Sequence, residues 1–92
     1  MESVERFLDE EGRVRQWPSK LADKAAVLRY LASKFDAGRT YSETEVNELL
    51  KKWHTFHDWP LLRRELFEAH MVTRNRNGSN YQFTEVKDGE GR

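Results

Sequence analysis

The residues best suited to chemistry are two adjacent arginines, Arg63 and Arg64, in residues 58–70, where apolar positions recur with helical spacing. A guanidinium is planar and always charged, so it can donate two parallel hydrogen bonds to O6 and N7 of guanine, or to a phosphate. On a helix, Arg64 points nearly opposite the apolar face, and Arg63 lies at the margin of that face. The pattern predicts that Arg64 meets a ligand or solvent. Arg63 either joins it or forms an ion pair with an acid of the preceding helix.

A predicted hairpin follows this helix and carries further cations. Residues 71–74 and 80–83 have the character of strands, and the Asn77-Gly78 pair between them is typical of a type I′ turn, which needs positive φ at both central residues. Arg74, Arg76 and Asn77 could contact phosphates, as hairpin arms commonly do. The alternative is a solvated turn in which Asn77 serves only the backbone geometry.

The distribution of charge gives mixed indications. Lys20 and Lys24, near the start of another predicted helix, could also contact phosphate, with a plain solvated face as the alternative. The net charge is zero, whereas dedicated DNA-binding domains are usually basic. Residues 13–40 nevertheless hold seven bases and two acids, and residues 71–83 hold two arginines and no acid. A locally basic surface on a neutral protein is therefore expected.

One spacing resembles a metal site, because His54 and His57 form an H-x-x-H sequence followed by Asp58. The segment has the character of a connector, Asp58 is suited to capping the next helix, and no further ligand is evident. We therefore predict neither a metal nor a cofactor. No serine–histidine–acid spacing, phosphate-binding glycine loop or convincing carboxylate pair occurs, so the chain is not expected to be an enzyme.

Three amphipathic helices are predicted. Residues 18–35 begin with a proline, whose missing N–H is tolerated at a helix start. Ser42 and Glu45 have the spacing of a capping box that opens the second helix. Asp58 caps the third helix. The apolar face predicted for residues 18–35 consists of Leu21, Ala25, Leu28, Leu31, Ala32 and Phe35.

Shorter elements complete the expected architecture. The apolar cluster in residues 4–8 suits a short N-terminal helix, and the alternating residues 13–17 (RVRQW) suit a strand that could join the hairpin as a third strand. Residues 1–86 are expected to form a single domain, and the charged, Gly-rich tail, residues 87–92, is expected to be disordered. The predicted fold is α+β. It is a winged helix-turn-helix with a short N-terminal helix, a three-helix core and a C-terminal β-wing of two or three strands.

Size and composition exclude several classes of protein. Ninety-two residues make one domain, and with 37 % hydrophobic residues its core is expected to be small and rich in aromatic side chains. The absence of cysteine excludes a disulfide framework and thiolate metal sites. No apolar run could span a membrane, and the acidic N-terminus is unlike a signal peptide. A cytoplasmic location without a membrane partner is expected.

Several motifs resemble a family of small bacterial domains catalogued as domain of unknown function 2087 (DUF2087). The most specific are YSE followed by EVN in residues 41–47, and LRREL in residues 62–66; the similarity covers most of the chain. Members of this family occur alone or attached to regulators that resemble bacterial transcription factors. The resemblance implies a winged-helix-like fold, a regulatory context and suggested nucleic-acid binding, and it supplies no catalytic residue. Asn47, inside the first motif, is expected to brace the connector that precedes the third helix.

The leading hypothesis is a winged-helix domain that binds double-stranded DNA and takes part in transcriptional regulation. The helix around Arg64 would enter the major groove, and the hairpin arginines would contact phosphate. The alternative is a protein–protein interaction module, with a protein partner or as a homodimer, that uses the scaffold without binding nucleic acid. The neutral net charge favours this alternative.

Overall fold

A computed structural model describes residues 4–75 and 80–84 as three α-helices and a three-stranded antiparallel sheet. In chain order the elements are a 3-10 helix (Glu5–Phe7), α1 (Leu21–Ala32), β1 (Thr40–Ser42), α2 (Glu43–Lys52), α3 (Trp59–Glu68), β2 (Val72–Arg74) and β3 (Asn80–Phe83). The predicted α+β class is confirmed, and the arrangement is compatible with a winged-helix-like fold. The predicted tail, residues 87–92, and the domain boundary at residue 86 lie outside the described residues. Within the described part of the chain, no helix has the length and apolar character needed to cross a membrane.

Helix α1 is shorter than the helix predicted over residues 18–35, and its buried face is shifted. The helix begins at Leu21, so Pro18 precedes it instead of occupying its first position. Leu21 has the right spacing for the buried face but is 82 % exposed. Val27 is fully buried in its place, and Ala25 is only half-buried. The other predicted positions are buried: Leu28, Leu31, Ala32 and Phe35.

The predicted caps of α2 and α3 are confirmed. The Ser42 hydroxyl accepts a hydrogen bond from the Glu45 N–H at 3.1 Å, and the Glu45 carboxylate accepts one from the Ser42 N–H at 2.9 Å. Asp58 Oδ1 accepts a hydrogen bond from the Leu61 N–H at 3.3 Å. Each cap satisfies backbone donors that the first turn of a helix leaves without an intrahelical partner.

The sheet has the strand order β1–β3–β2, in which β3 pairs with both neighbours. Tyr41 of β1 lies opposite Tyr81 of β3, and Tyr81 lies opposite Arg74 of β2. The sheet therefore has three strands, which was one of the two numbers predicted for the β-wing. The third strand comes from Thr40–Ser42 and leads directly into α2.

Residues 13–17 were predicted to supply this third strand, and that prediction is wrong. The Val14 N–H donates to the Trp53 carbonyl at 2.8 Å, and the Val14 carbonyl accepts from the Thr55 N–H at 2.9 Å. Val14 is fully buried, so this segment is held against the connector between α2 and α3 and cannot reach the hairpin. The expected short N-terminal helix is a single 3-10 turn, Glu5–Phe7.

An aromatic cluster joins the end of α1 to the sheet. The Phe35 ring stacks on the Phe83 ring at 3.8 Å between centroids, and the Tyr41 ring meets the two rings edge-on at 5.2 and 6.0 Å. On the helical side, Leu62 and Leu66 of α3 are fully buried. The core therefore lies between the three helices and one face of the sheet. It fixes α3 beside β2, where the candidate site lies.

Candidate nucleic-acid interface

Arg64 projects from α3 on the side opposite the buried residues Leu62 and Leu66, as its helical position predicts. Its side chain is exposed. Among the described residues it makes no hydrogen bond, ion pair or ring contact. All five guanidinium N–H donors therefore remain available for a ligand.

Arg74 of β2 reaches back over α3. Its guanidinium carbon Cζ lies 5.1 Å from the centroid of the Phe67 ring, within the range of a cation–π contact. Phe67 follows Arg64 by three residues, and such residues are neighbours on a helix, with Cβ atoms about 5–6 Å apart. Arg64, Phe67 and Arg74 thus form one continuous surface across α3 and β2, which we call the Arg–Phe–Arg strip.

Phe67 was not among the residues predicted from the sequence. A signal was present, because an aromatic residue three positions after Arg64 lies away from the apolar face of the helix. No pattern in the sequence indicates the contact of Phe67 with Arg74, because this contact depends on how the hairpin packs against α3. The ring is 41 % exposed, and the only other large apolar side chain exposed in the described residues is Leu21.

Arg63 is turned inward, towards α2. Its Nη1 donates to Asn47 Oδ1 and lies 3.7 Å from Glu43 Oε2, and its side chain is 26 % exposed. This is the internal ion pair that stood as the alternative to ligand contact. The Tyr81 hydroxyl also donates to Glu43 Oε1, at 3.5 Å. The cluster ties α2, α3 and β3 together, so the expectation that Asn47 braces the connector is wrong: Asn47 braces α3.

Carboxylates reduce the positive charge of this surface. Glu68 follows Arg64 by one helical turn and is exposed, and Glu65 is half-buried beside it. Neither carboxylate makes an ion pair among the described residues. The solvent side of α3 therefore presents both signs of charge together with an aromatic ring.

The remaining predicted contact residues are not linked to the strip. Lys20 is exposed just before α1, and Lys24 is half-buried with its Nζ 5.9 Å from the Trp17 ring. Within residues 4–75 and 80–84, no hydrogen bond, ion pair or ring contact connects either lysine to α3 or β2. Arg76 and Asn77, with the predicted Asn-Gly turn, lie outside the described residues.

A buried histidine joins the end of α2 to the start of α3. His54 is 4 % exposed; its Nδ1 lies 2.5 Å from the Leu50 carbonyl oxygen, and its Nε2 accepts from the Asp58 N–H at 2.9 Å. A backbone N–H can only donate, so the ring is neutral with its proton on Nδ1. Burial lowers the pKa of His54 below its ordinary value. Both ring nitrogens are occupied, and the described residues contain no group of three possible metal ligands.

Comparison with known proteins gives one informative match. The model of a family described as uncharacterized protein conserved in bacteria (DUF2087) matches residues 13–83. This range contains the three α-helices, the three strands and the Arg–Phe–Arg strip, and it agrees with the resemblance seen in the motifs. No curated protein and no solved structure matches the chain.

Proposed function

The chain belongs to the DUF2087 family, and we propose that it binds double-stranded DNA through α3 and the β2–β3 hairpin and takes part in transcriptional regulation. The observation that carries the proposal is the Arg–Phe–Arg strip. The Arg74 guanidinium of β2 contacts the exposed Phe67 ring, Arg64 precedes this ring by three residues on α3, and neither arginine makes an ion pair within the described residues. An α-helix fits the major groove, where arginine can bind guanine edges, and strands beside it can contact phosphate.

The support of α3 fits this role. Arg63 holds α3 to α2 through Asn47 and Glu43, and His54 holds the first turn of α3 to the last turn of α2. A recognition element needs such support, because its side chains must keep one orientation to discriminate between ligands. Arg63 contributes to binding by positioning α3, whereas Arg64 makes the contact.

The proposed binding surface is small for a transcriptional regulator. A single recognition helix usually needs a second copy or a fused partner to bind one DNA sequence tightly. We therefore propose that a single copy of this chain binds DNA weakly and with steep salt dependence. Tight, sequence-specific binding would require a homodimer or attachment to another protein.

The test is fluorescence anisotropy of a labelled, mixed-sequence duplex titrated with the full chain at salt concentrations from about 50 to about 200 mM. The logarithm of the binding constant should fall with the logarithm of salt concentration by about 0.9 for each neutralised phosphate. Arg64→Ala and Arg74→Ala should each weaken binding. Each phosphate that a variant no longer neutralises should make this slope shallower by about one unit.

Arg39→Ala is the matched control for Arg74→Ala. It removes the same charge and a similar ring contact, since Arg39 Cζ lies 4.7 Å from the Tyr41 ring, together with an exposed ion pair to Glu45 at 3.8 Å, and it lies outside α3 and β2. Binding by this variant should equal that of the wild type. Failure to bind at low salt would refute the proposal. An equal decrease in Arg39→Ala would show that overall charge, and not the strip, governs binding.

A second candidate function is a protein-interaction module, which the zero net charge and the exposed Phe67 favour. Aromatic and arginine side chains are also the usual anchors of protein interfaces. If the partner is a second copy of this chain, sedimentation equilibrium without DNA should detect a dimer. Phe67→Ala should weaken that dimer. A monomer at all accessible concentrations would leave only the form with a different protein partner.

A further inference from the structure

Phe67 is the apolar member of the strip, and the packing of the core does not account for it. Leu62 and Leu66 of the same helix are fully buried, whereas Phe67 is 41 % exposed. The Arg74 guanidinium carbon lies 5.1 Å from the centroid of its ring, and Arg64 precedes it by about one turn on α3. A ligand that matches all three side chains must present an apolar group between anionic or hydrogen-bond-accepting groups.

The major groove of DNA offers this combination. The C5-methyl group of thymine is the apolar group displayed on its floor, and phosphates line both of its rims. Guanine O6 and N7, or phosphate oxygens, would accept hydrogen bonds from the arginines, and aromatic side chains such as phenylalanine can pack on the thymine methyl group. The contact with Arg74 also restrains the Phe67 ring, so less freedom is lost when a ligand packs against it.

We propose that Phe67 recognises the C5-methyl group of pyrimidines in the major groove and that it is a specificity-determining residue of this interface. The inference rests on the proposed binding of double-stranded DNA and adds the base feature that is read. Duplexes that carry thymine should bind more tightly than the same duplexes with uracil, which forms the same base pairs and lacks only the methyl group. A 5-methylcytosine should likewise bind more tightly than cytosine.

The size of the effect follows from the burial of one methyl group. Removing an apolar carbon group of this size from water corresponds to about a fourfold change in affinity for each methyl contacted. Without the Phe67 ring, the methyl group stays in water and the preference disappears. The quantity to measure is therefore the difference in thymine preference between the wild type and Phe67→Ala. Differences in duplex shape that do not depend on Phe67 affect both proteins equally and cancel.

The experiment compares two duplexes of equal length, alternating dA–dT and alternating dA–dU, by fluorescence anisotropy with the full chain at low salt. The wild type should bind the thymine duplex about fourfold more tightly. Phe67→Ala should bind the two duplexes equally, and Phe67→Leu should keep part of the preference. Leu21→Ala is the matched control, because it removes the other exposed apolar side chain, on α1, and should retain the full preference.

Each outcome supports or overturns the inference. Equal binding of both duplexes by the wild type overturns it without requiring any variant. A preference that survives in Phe67→Ala, with its thermal unfolding transition intact, also overturns it. Binding without methyl discrimination leaves the proposed function standing. No binding to either duplex overturns the inference, and no binding to the mixed-sequence duplex removes both proposals.

Discussion

Acidification should destabilise the start of α3 through His54. The Nε2 atom of His54 accepts the Asp58 N–H, which belongs to the N-cap residue of α3, and its Nδ1 is engaged by the Leu50 carbonyl. A proton on Nε2 would replace the acceptor with a donor and set two N–H groups against each other. The folded protein therefore resists protonation of this ring, in agreement with the lowered pKa that burial gives it.

The direction of the effect on stability follows from linkage. In the unfolded chain His54 takes up a proton near its ordinary pKa of 6.5, but in the folded protein the pKa is lower. The unfolded state therefore binds more protons just below pH 6.5, and the free energy of unfolding decreases there as pH falls. The stabilisation is complete above pH 6.5 and is lost towards the lowered pKa of the folded state.

The magnitude has an upper limit. If the unfolded chain binds one proton more than the folded protein, the free energy of unfolding changes by about 1.4 kcal/mol per pH unit. The decrease between pH 6.5 and pH 5 is therefore at most about 2 kcal/mol. The hydrogen bond sets a limit of similar size, because a fully buried N–H left without an acceptor costs about 1–3 kcal/mol and the Asp58 N–H is only part-buried.

The assay is urea unfolding followed by tryptophan fluorescence at several pH values from about 8 to about 5. The wild type should lose stability below pH 6.5. In His54→Gln, which offers an amide oxygen and does not titrate, the curve should flatten over this range. His70→Gln, which replaces an exposed histidine that makes no contact with His54, is the control variant and should keep the wild-type curve. The same pH dependence in His54→Gln as in the wild type would refute the assignment.

Three further predictions concern the stability of the scaffold. Ser42→Ala should lower the free energy of unfolding by about 1 kcal/mol in urea titrations, whereas Thr44→Ala, exposed in the same turn, should change it much less. A double-mutant cycle of Asn47→Ala and Arg63→Met should give a favourable coupling energy, and zero coupling would show that their hydrogen bond contributes nothing. Hydrogen bonds from the Arg13 and Glu11 N–H groups lower the pKa of Asp9 below 3.8; stability should therefore fall as pH drops below 3.8, and less so in Asp9→Asn.

Features determined within a few residues could be predicted from the sequence. The capping box of Ser42 and Glu45, the Asp58 cap and the exposure of Arg64 depend on helical spacing alone, and the structure shows them as expected. The internal pairing of Arg63 was one of two alternatives, because its position at the margin of the apolar face allowed both. Its partner Asn47 could not be identified, since that contact depends on how α2 and α3 cross.

Features that depend on distant contacts were missed. The third strand, Thr40–Ser42, is three residues long and has no periodicity of its own, so only its pairing with β3 defines it. The alternation of residues 13–17 looked more like a strand, yet Val14 is used to pack the N-terminal segment against the connector. The place of Phe67 in the strip was missed for the same reason. Its partner Arg74 lies on β2, and the spacing of residues in the sequence does not determine how the turn between α3 and β2 directs that strand.

The junction at Ser42 has a mechanical consequence. Ser42 is both the last residue of β1 and the N-cap of α2, so no loop separates the sheet from the helix. A hinge cannot form there, and any tilt of the hairpin that is transmitted through β3 to β1 must also move α2. A residue inserted between Ser42 and Glu43 would have to break the cap or shift β1 by one position, which would turn Tyr41 out of the core. The exposed stretch at residues 36–39 should accept an insertion far more readily.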